Sequence, residues 1–473
     1  MQRVAQAVKT VTARIILPAF LLAFILPYQL HAEEGLVESL SRILKNRPKG
    51  TEVSLSVLEV DGNSVTDVFH SNENKPLIPA SIQKLVIAAA AIKHLGPEFR
   101  FKTEVFVDGR SGGAVERLIV VGGGDPSLAI EQSYLIAKAI KRRGIQKINE
   151  LVLDGSRFVG RSAQGERAFD AALSPLSFNF NSIFFEVCPG PTTGKAAQVG
   201  IDVPADLVVL KNQIVTGPEK PINITLSGDG RTYLLSGAIP LGAMCRGFYR
   251  AVSEPGVYFA ATLAAQLREI GVSVSLEKVS RNSMTHGKSE YLYSHQSTPL
   301  AELVYQMNHF STNSYADHLV FALADQLAGG FQQWEKGLEV LNEFVKSEPF
   351  NCEQCDFADG SGLSRSNKVT TRFMTSLLAH HLLDTSLSPD FQAGLPAPGR
   401  TGSLEERSVD FGEVVFRAKT GTLTGVRSLA GFVYLKNGKS LVFSLIQNNL
   451  PSREAGYNLE EAVVKVLGAK DSR

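Results

Sequence analysis

Ser81 and Lys84 stand three residues apart in Pro79-Ala80-Ser81-Ile82-Gln83-Lys84-Leu85-Val86-Ile87-Ala88-Ala89-Ala90, a stretch that reads as the opening of a helix. On a helix this spacing stacks the two side chains one turn apart on one face, so a lysine amine reaches a serine hydroxyl and a nucleophile stands beside a proton acceptor. Ser-x-x-Lys arises by chance in a chain of 473 residues, and it occurs twice here. The second copy, Ser275-Leu276-Glu277-Lys278, continues the alternation of Val272 and Val274, which predicts a strand; an offset of three on a strand sends the side chains to opposite faces. Context therefore selects Ser81.

Two more triplets carry chemistry. Ser311-Thr312-Asn313 falls between two helical stretches, where a hydroxyl and an amide two residues apart can aim into one cleft as proton relay and as partner for a substrate amide. Alone it reads as a plain helix cap, and Ser177-Phe178-Asn179 repeats the spacing. Lys419-Thr420-Gly421 occurs once, where the predicted strand Val414 to Ala418 runs into Gly421. The lysine supplies positive charge, the threonine a hydroxyl for a carboxylate, and the glycine room for close approach; alone, the triplet is a strand ending in a turn with a solvated lysine.

Around these residues the chain predicts a helix over Glu34 to Lys45, a hairpin with strands Glu52 to Val60 and Val65 to Phe69 about Asp61-Gly62-Asn63, and a buried, alanine-rich helix from Ser81 to Leu95. From Phe101 to Val279 the texture is short alternating segments broken by Gly and Pro, with one clear helix from Gly256 to Ile270. Helical periodicity returns over Leu300 to Phe310, Ser314 to Ala328, Phe331 to Lys346 and Thr370 to Leu383. Strands Leu429 to Leu435 and Ser440 to Ile446 about Lys436-Asn437-Gly438, then a helix over Asn458 to Leu467, close the chain. The simplest architecture is one domain built from both ends and interrupted by the middle block.

Composition bounds the rest. With 44% hydrophobic and 20% charged residues the chain buries a large core and is too long for one ordinary domain. Lys and Arg number 48 against 47 Asp and Glu, so no global field points to nucleic acid or to an anionic membrane. Arg3, Lys9 and Arg14 precede an apolar run from Ile15 to Leu26, and Leu30-His31-Ala32 ends in a small residue, a pattern of export with cleavage near Ala32. An uncleaved anchor needs about 20 apolar residues, more than this run supplies. Four cysteines suit an oxidising compartment. Cys352 and Cys355 are close enough for a local bridge, leaving Cys188 and Cys245 as the other possible pair, but four cysteines allow three connectivities. Zinc at Cys352 and Cys355 lacks two further ligands at standard spacing even with His380-His381 following, so no metal is expected. Gly122-Gly123-Gly124 is not a phosphate loop: both Gly-Lys-Ser triplets, at 287–289 and 438–440, lack the upstream glycine, and no His-Glu-x-x-His occurs.

Ser-x-x-Lys at a helix start, Ser-x-Asn between helices and Lys-Thr-Gly at a strand, in this order, form the signature set of penicillin-binding proteins and serine β-lactamases, a superfamily this chain resembles. The stretch between Lys84 and Ser311 has room for a whole domain. In this the chain is similar to the class C low-molecular-mass penicillin-binding proteins, the D-alanyl-D-alanine carboxypeptidase/endopeptidase family, which carries a large insertion after the nucleophile helix. Gly122-Gly123-Gly124-Asp125-Pro126-Ser127, Leu235-Ser236-Gly237-Ala238-Ile239-Pro240, Asp359-Gly360-Ser361-Gly362-Leu363-Ser364-Arg365 and Ala418 to Val426 support the likeness, which spans essentially the whole mature chain. Gly399-Arg400-Thr401-Gly402-Ser403-Leu404 departs from the family's more frequent Gly-x-Asp-Gly-Thr-Leu, which bears on loop structure or substrate preference.

The resemblance implies an α+β fold: a β-lactamase/transpeptidase-like catalytic domain, with an antiparallel sheet flanked by helices, over residues 33–100 and 280–473. A β-rich insertion at 101–279, with room for two subdomains, would interrupt it after a signal peptide at 1–32. It implies that Ser81 attacks a D-Ala-D-X bond with Lys84 as base, that Ser311 relays a proton beside Lys419, and that Asn313 binds the substrate amide. Thr420, Gly421 and Thr422 would form the carboxylate site, and the N–H groups of Ser81 and Thr422 the oxyanion hole. Arg365 would read the end of a peptidoglycan side chain, with Asp170 as a partner. No cofactor is implied. The partners implied are peptidoglycan stem peptides, with β-lactam antibiotics as covalent inhibitors, outside the cytoplasm and at most peripherally membrane-bound. A β-lactamase and a non-catalytic peptidoglycan-binding scaffold are the rival readings; the insertion disfavours the first and the complete motifs the second.

Overall fold

The computed structural model describes residues 35–161, 165–204, 207–280, 289–328, 334–347, 349–384, 388–407 and 414–469. The export segment read at 1–32 lies outside them.

In chain order, α1 (Leu36–Lys45) leads to β1 (Glu52–Asp61) and β2 (Ser64–Ser71), and a 3₁₀ turn, Ala80–Gln83, runs into α2 (Lys84–Leu95). Then follow β3 (Lys102–Asp108), β4 (Ala114–Val121), α3 (Ile130–Arg142), β5 (Lys147–Asp154), β6 (Ser182–Cys188), β7 (Gln198–Ile201), β8 (Val209–Thr216), β9 (Lys220–Leu226), β10 (Thr232–Ile239), β11 (Arg246–Ala251), α4 (Pro255–Glu269), β12 (Ser273–Ser280) and β13 (Glu290–Gln296). The last portion holds α5 (Leu300–Phe310), α6 (Asn313–Ala328), α7 (Trp334–Lys346), α8 (Thr371–Leu383), α9 (Ser388–Ala393), β14 (Val415–Leu423), β15 (Val426–Tyr434), β16 (Ser440–Asn448) and α10 (Arg453–Gly468).

Both ends of the chain meet in one antiparallel sheet ordered β14-β15-β16-β1-β2. On one face lie α1 and α10, whose Leu40, Leu44, Val463 and Leu467 pack against Leu55, Val57, Leu441 and Phe443. On the other lies α2, nine of whose residues, Lys84 to Ile92, are buried between the sheet and α5, α6 and α8. A helix buried all round is apolar all round, which is why its sequence shows no stripe. The alternation that marks β1 hides a second buried face: Ser54 and Ser56 meet the hydroxyls of Thr371 and Thr375 on α8 at 2.6 and 2.9 Å, so its polar positions face a helix instead of water. The α+β architecture, with an antiparallel sheet flanked by helices, is the one expected.

The remaining strands form a mixed sheet, β12-β5-β4-β3-β13, and two three-stranded sheets, β8-β10-β9 and β11-β6-β7. Three corrections arise here. The middle block has a second helix, α3, which crosses between the parallel strands β4 and β5. Its stripe is broken because Ser133 is buried, bonded to Gln266 of α4 at 2.7 Å, while Leu135 is 54% exposed. β13, placed by a boundary at 280 with the catalytic portion, pairs antiparallel with β3 and belongs to the middle sheet. α10 starts five residues before Asn458, where Ser452 Oγ accepts from the Ala455 N–H.

The middle block docks on α6. Phe158 stacks on Phe321 with centroids 4.0 Å apart, Arg157 pairs with Asp325 at 2.8 Å, and Ser177 Oγ meets the buried His318 Nε2 at 2.7 Å. The second Ser-x-Asn triplet is thus part of this junction. Disulfides join Cys188 to Cys245 and Cys352 to Cys355, which takes these thiolates out of metal binding.

Candidate active site

Ser81 lies in the 3₁₀ turn that opens α2, and Lys84 is the first residue of the α-helix proper. Lys84 Nζ sits 3.0 Å from Ser81 Oγ, so the spacing delivers the contact that a helix start predicts. The rival copy at Ser275 sits exposed on strand β12. Lys84 Nζ also reaches Asn313 Oδ1 at 2.8 Å and the Ser361 carbonyl at 2.5 Å. Burial pushes its pKa down from 10.5 to about 8, against the opposing pull of the Asp317 and Asp359 carboxylates.

The turn between α5 and α6 brings in the second triplet. Ser311 ends α5 in the left-handed region, with φ +60° and ψ +36°. A non-glycine residue there costs about 1–2 kcal/mol, which surrounding contacts must offset. The turn sends Ser311 Oγ to Lys419 Nζ at 2.7 Å, while Asn313 opens α6 toward Lys84. Lys419 is fully buried; burial, and then the charge of Lys84, hold its pKa well below that of a free lysine. One triplet therefore touches both lysines.

Lys419-Thr420-Gly421 lies inside β14 and not at its end: the strand runs on to Leu423, with Thr422 opposite Arg427 and Leu423 opposite Val426 before the turn at Gly425, φ +74°. The strand continues because this hairpin turn is tight enough to keep pairing to its tip. Gly421 makes a close approach possible, since a Cβ there would fall 2.9 Å from both the Ser81 nitrogen and the Pro79 carbonyl and would collide with Ser428. The backbone of β14 thereby lies against the nucleophile turn. Thr422 is exposed, and Thr420 Oγ1 meets Ser403 Oγ at 3.1 Å. The departing segment at Gly399 to Leu404 thus adjoins the triplet's hydroxyl.

Among the described residues no hydrogen bond or ion pair joins Arg365 to Asp170. Exposed Arg365 donates to the Thr424 carbonyl at the tip of the β14–β15 hairpin, while Asp170 closes a 3₁₀ turn, Ala168–Asp170, in the middle block. The long connection between them leaves their relative placement unconstrained by sequence.

Sequence reasoning assigned no role to the residues beneath Lys84. Asp317 Oδ1 accepts from the N–H groups of Gly360 and Ser361, both at 2.9 Å. Asp359 accepts from the N–H groups of Gly362 at 2.8 Å and Ser364 at 2.6 Å, from Asn367 Nδ2 at 2.8 Å, and through its backbone carbonyl from Gln83. Burial, then the charge of Asp359, raise the Asp317 pKa. A signal was present: Asp317 is four residues after Asn313, hence one turn along the same helix face. A buried lysine that meets the serine hydroxyl and is flanked by two buried carboxylates, with a second buried lysine on Ser311, can support acyl transfer through that hydroxyl.

Comparison with known proteins points to the same chemistry. A family model described as the D-Ala-D-Ala carboxypeptidase 3 (S13) family matches residues 36–470. A D-alanyl-D-alanine carboxypeptidase from Actinomadura sp. is 29% identical over 452 residues, covering 90% of this chain and 83% of the relative. The crystal structure of penicillin binding protein 4 (dacB) from Haemophilus influenzae superposes with a TM-score of 0.77 at 25% identity, covering 91% of this chain and 98% of that one. The same Haemophilus influenzae protein complexed with a β-lactam superposes with a TM-score of 0.74 at 25% identity and the same coverage.

Proposed function

This chain belongs to the D-Ala-D-Ala carboxypeptidase 3 (S13) family, and from that membership we infer that it is a penicillin-binding serine D,D-peptidase, hydrolysing D-alanyl bonds of peptidoglycan stem peptides through an acyl-enzyme on Ser81. The observation that carries the assignment is the single amine of Lys84, which meets Ser81 Oγ and Asn313 Oδ1 at once although the latter is 229 residues away in sequence.

In this reading Ser81 Oγ attacks the D-alanyl carbonyl as Lys84 takes its proton. A lysine held near pKa 8 has an appreciable free-amine fraction at neutral pH, which a solvated lysine lacks. The negative oxygen of the tetrahedral intermediate is received by the N–H groups of Ser81 and Thr422, and the close approach at Gly421 supports that pairing. Ser311, against Lys419, passes a proton to the leaving amine, and water then hydrolyses the ester. Asn313 holds the acyl-side amide. Thr420 and Thr422, backed by the charge of Lys419, receive the terminal carboxylate, and Arg365 at the hairpin tip reads the stem-peptide side chain. β-Lactams acylate Ser81 by the same attack. Export rests on the pattern ending at Ala32, and among the described residues no helix is long and apolar enough to cross a membrane.

Digestion of purified peptidoglycan with mass identification of the fragments tests this reading. Release of terminal D-alanine or cleavage of cross-bridges is expected from the parent and not from Ser81→Ala; equal release by both removes Ser81 from the reaction. Rapid turnover of penicillin without a lasting adduct would instead favour a β-lactamase.

A further inference from the structure

Lys84 Nζ is surrounded by three acceptors: Ser81 Oγ, Asn313 Oδ1 and the Ser361 carbonyl. An ammonium satisfies all three with its three N–H bonds. A free amine keeps two N–H bonds and a lone pair. If its hydrogens stay on Asn313 and Ser361, whose oxygens accept only, the lone pair faces Ser81, the partner that can donate. The aim of the base thus depends on holding Asn313 and Ser361 still.

Asp317 is placed to hold both. It lies on α6 one turn beyond Asn313 and is 8% exposed, and its single oxygen Oδ1 accepts from two consecutive amides, Gly360 and Ser361. The loop lies close against the helix there, since a Cβ at Gly360 would fall 2.6 Å from the Ala316 carbonyl. We propose that Asp317 is the positioning residue of the base: by clamping the Gly360–Ser361 peptide to the helix that carries Asn313, it fixes the two acceptors that turn the Lys84 lone pair toward Ser81. The charged groups acting around this pair are Asp317 from α6, Asp359 from the loop and Lys419 from β14, with Arg161 of the middle block acting on Asp317.

The inference rests on Lys84 being the base, and the test separates the two. Acylation rates with labelled penicillin are measured from about pH 6 to about pH 10 for the parent, Lys84→Ala, Asp317→Ala and Asp317→Asn. Parental acylation by Lys84→Ala would remove the base itself. With Lys84→Ala inactive, Asp317→Ala is expected to acylate about 100-fold more slowly, the scale of a misaligned reacting group. Asp317→Asn offers the same two amides an oxygen without the charge, and is expected to recover about tenfold of that loss. It should also move the acid limb of the profile to lower pH, because the Asp317 charge favours the Lys84 ammonium. The near-isosteric variant decides the matter even where Asp317→Ala does not fold. Parental acylation by Asp317→Ala, or a folded Asp317→Asn whose acid limb stays where the parent's lies, overturns the proposal.

Discussion

Lys419 Nζ lies 2.7 Å from Ser311 Oγ, tying strand β14 to the turn between α5 and α6. Each partner is held at a cost, the lysine by full burial and the serine by a left-handed backbone. A hydroxyl so held between helix turn and lysine amine suits proton delivery to a leaving amine. Ser311→Ala is expected to lower kcat on a D-Ala-D-Ala peptide by about 10²–10⁴-fold, the range of general acid catalysis. Steady-state kinetics decide it, and an unchanged kcat takes the hydroxyl off the proton path.

Gly421 is where β14 meets the nucleophile turn, and a methyl group there would press on the Ser81 nitrogen and the Pro79 carbonyl at 2.9 Å. Gly421→Ala is expected to reduce acylation by about 10²–10³-fold, as does loss of one oxyanion donor. Stopped-flow acylation with a chromogenic cephalosporin measures this, with circular dichroism confirming the fold. Parental acylation would mean that Ser81 and Thr422 do not share the oxyanion.

Lys84 at a pKa of about 8 gives the reaction a pH signature. Acylation needs the free amine, so its rate is expected to rise through an acid limb near pH 8, and a limb below about pH 6 contradicts the assignment. The stability sign follows from the same shift. The folded pKa lies below the unfolded value of 10.5, so between about 8 and 10.5 the unfolded chain binds more protons and stability rises with pH. Urea midpoints of parent and Lys84→Met across that window isolate this contribution.

Glu460 on α10 is fully buried, and its Oε2 accepts from Arg407 at 2.7 Å and Arg427 at 2.6 Å. Arg427 stands opposite Thr422, and Arg407 follows the segment whose Ser403 meets Thr420. Glu460→Ala leaves a buried arginine uncompensated and is expected to cost about 3–5 kcal/mol in chemical denaturation. The folded fraction is expected to show a raised KM for peptides with a free carboxylate. A loss below about 1 kcal/mol would mean that water already screens the cluster.

The α5 span was legible from periodicity to the residue, and Ser81 with Lys84 was legible because one helical turn fixes their contact. α3 was hidden because Ser133 takes a core position that only Gln266, on another helix, makes tolerable. The roles of Asp317 and Asp359 were not legible because their partners are backbone amides of a loop, and a sequence does not state where amides go. The Cys352–Cys355 bridge was suggested by spacing alone, whereas that of Cys188 to Cys245 depends on distance between segments, which spacing leaves open.

The central claim is that Ser81 is the nucleophile of an acyl-enzyme, and its most direct test is intact and peptide mass measurement after exposure to penicillin. One penicilloyl group lasting on Ser81 is predicted for the parent, with none on Ser81→Ala. An adduct at another residue, or an equal adduct on Ser81→Ala, would contradict it.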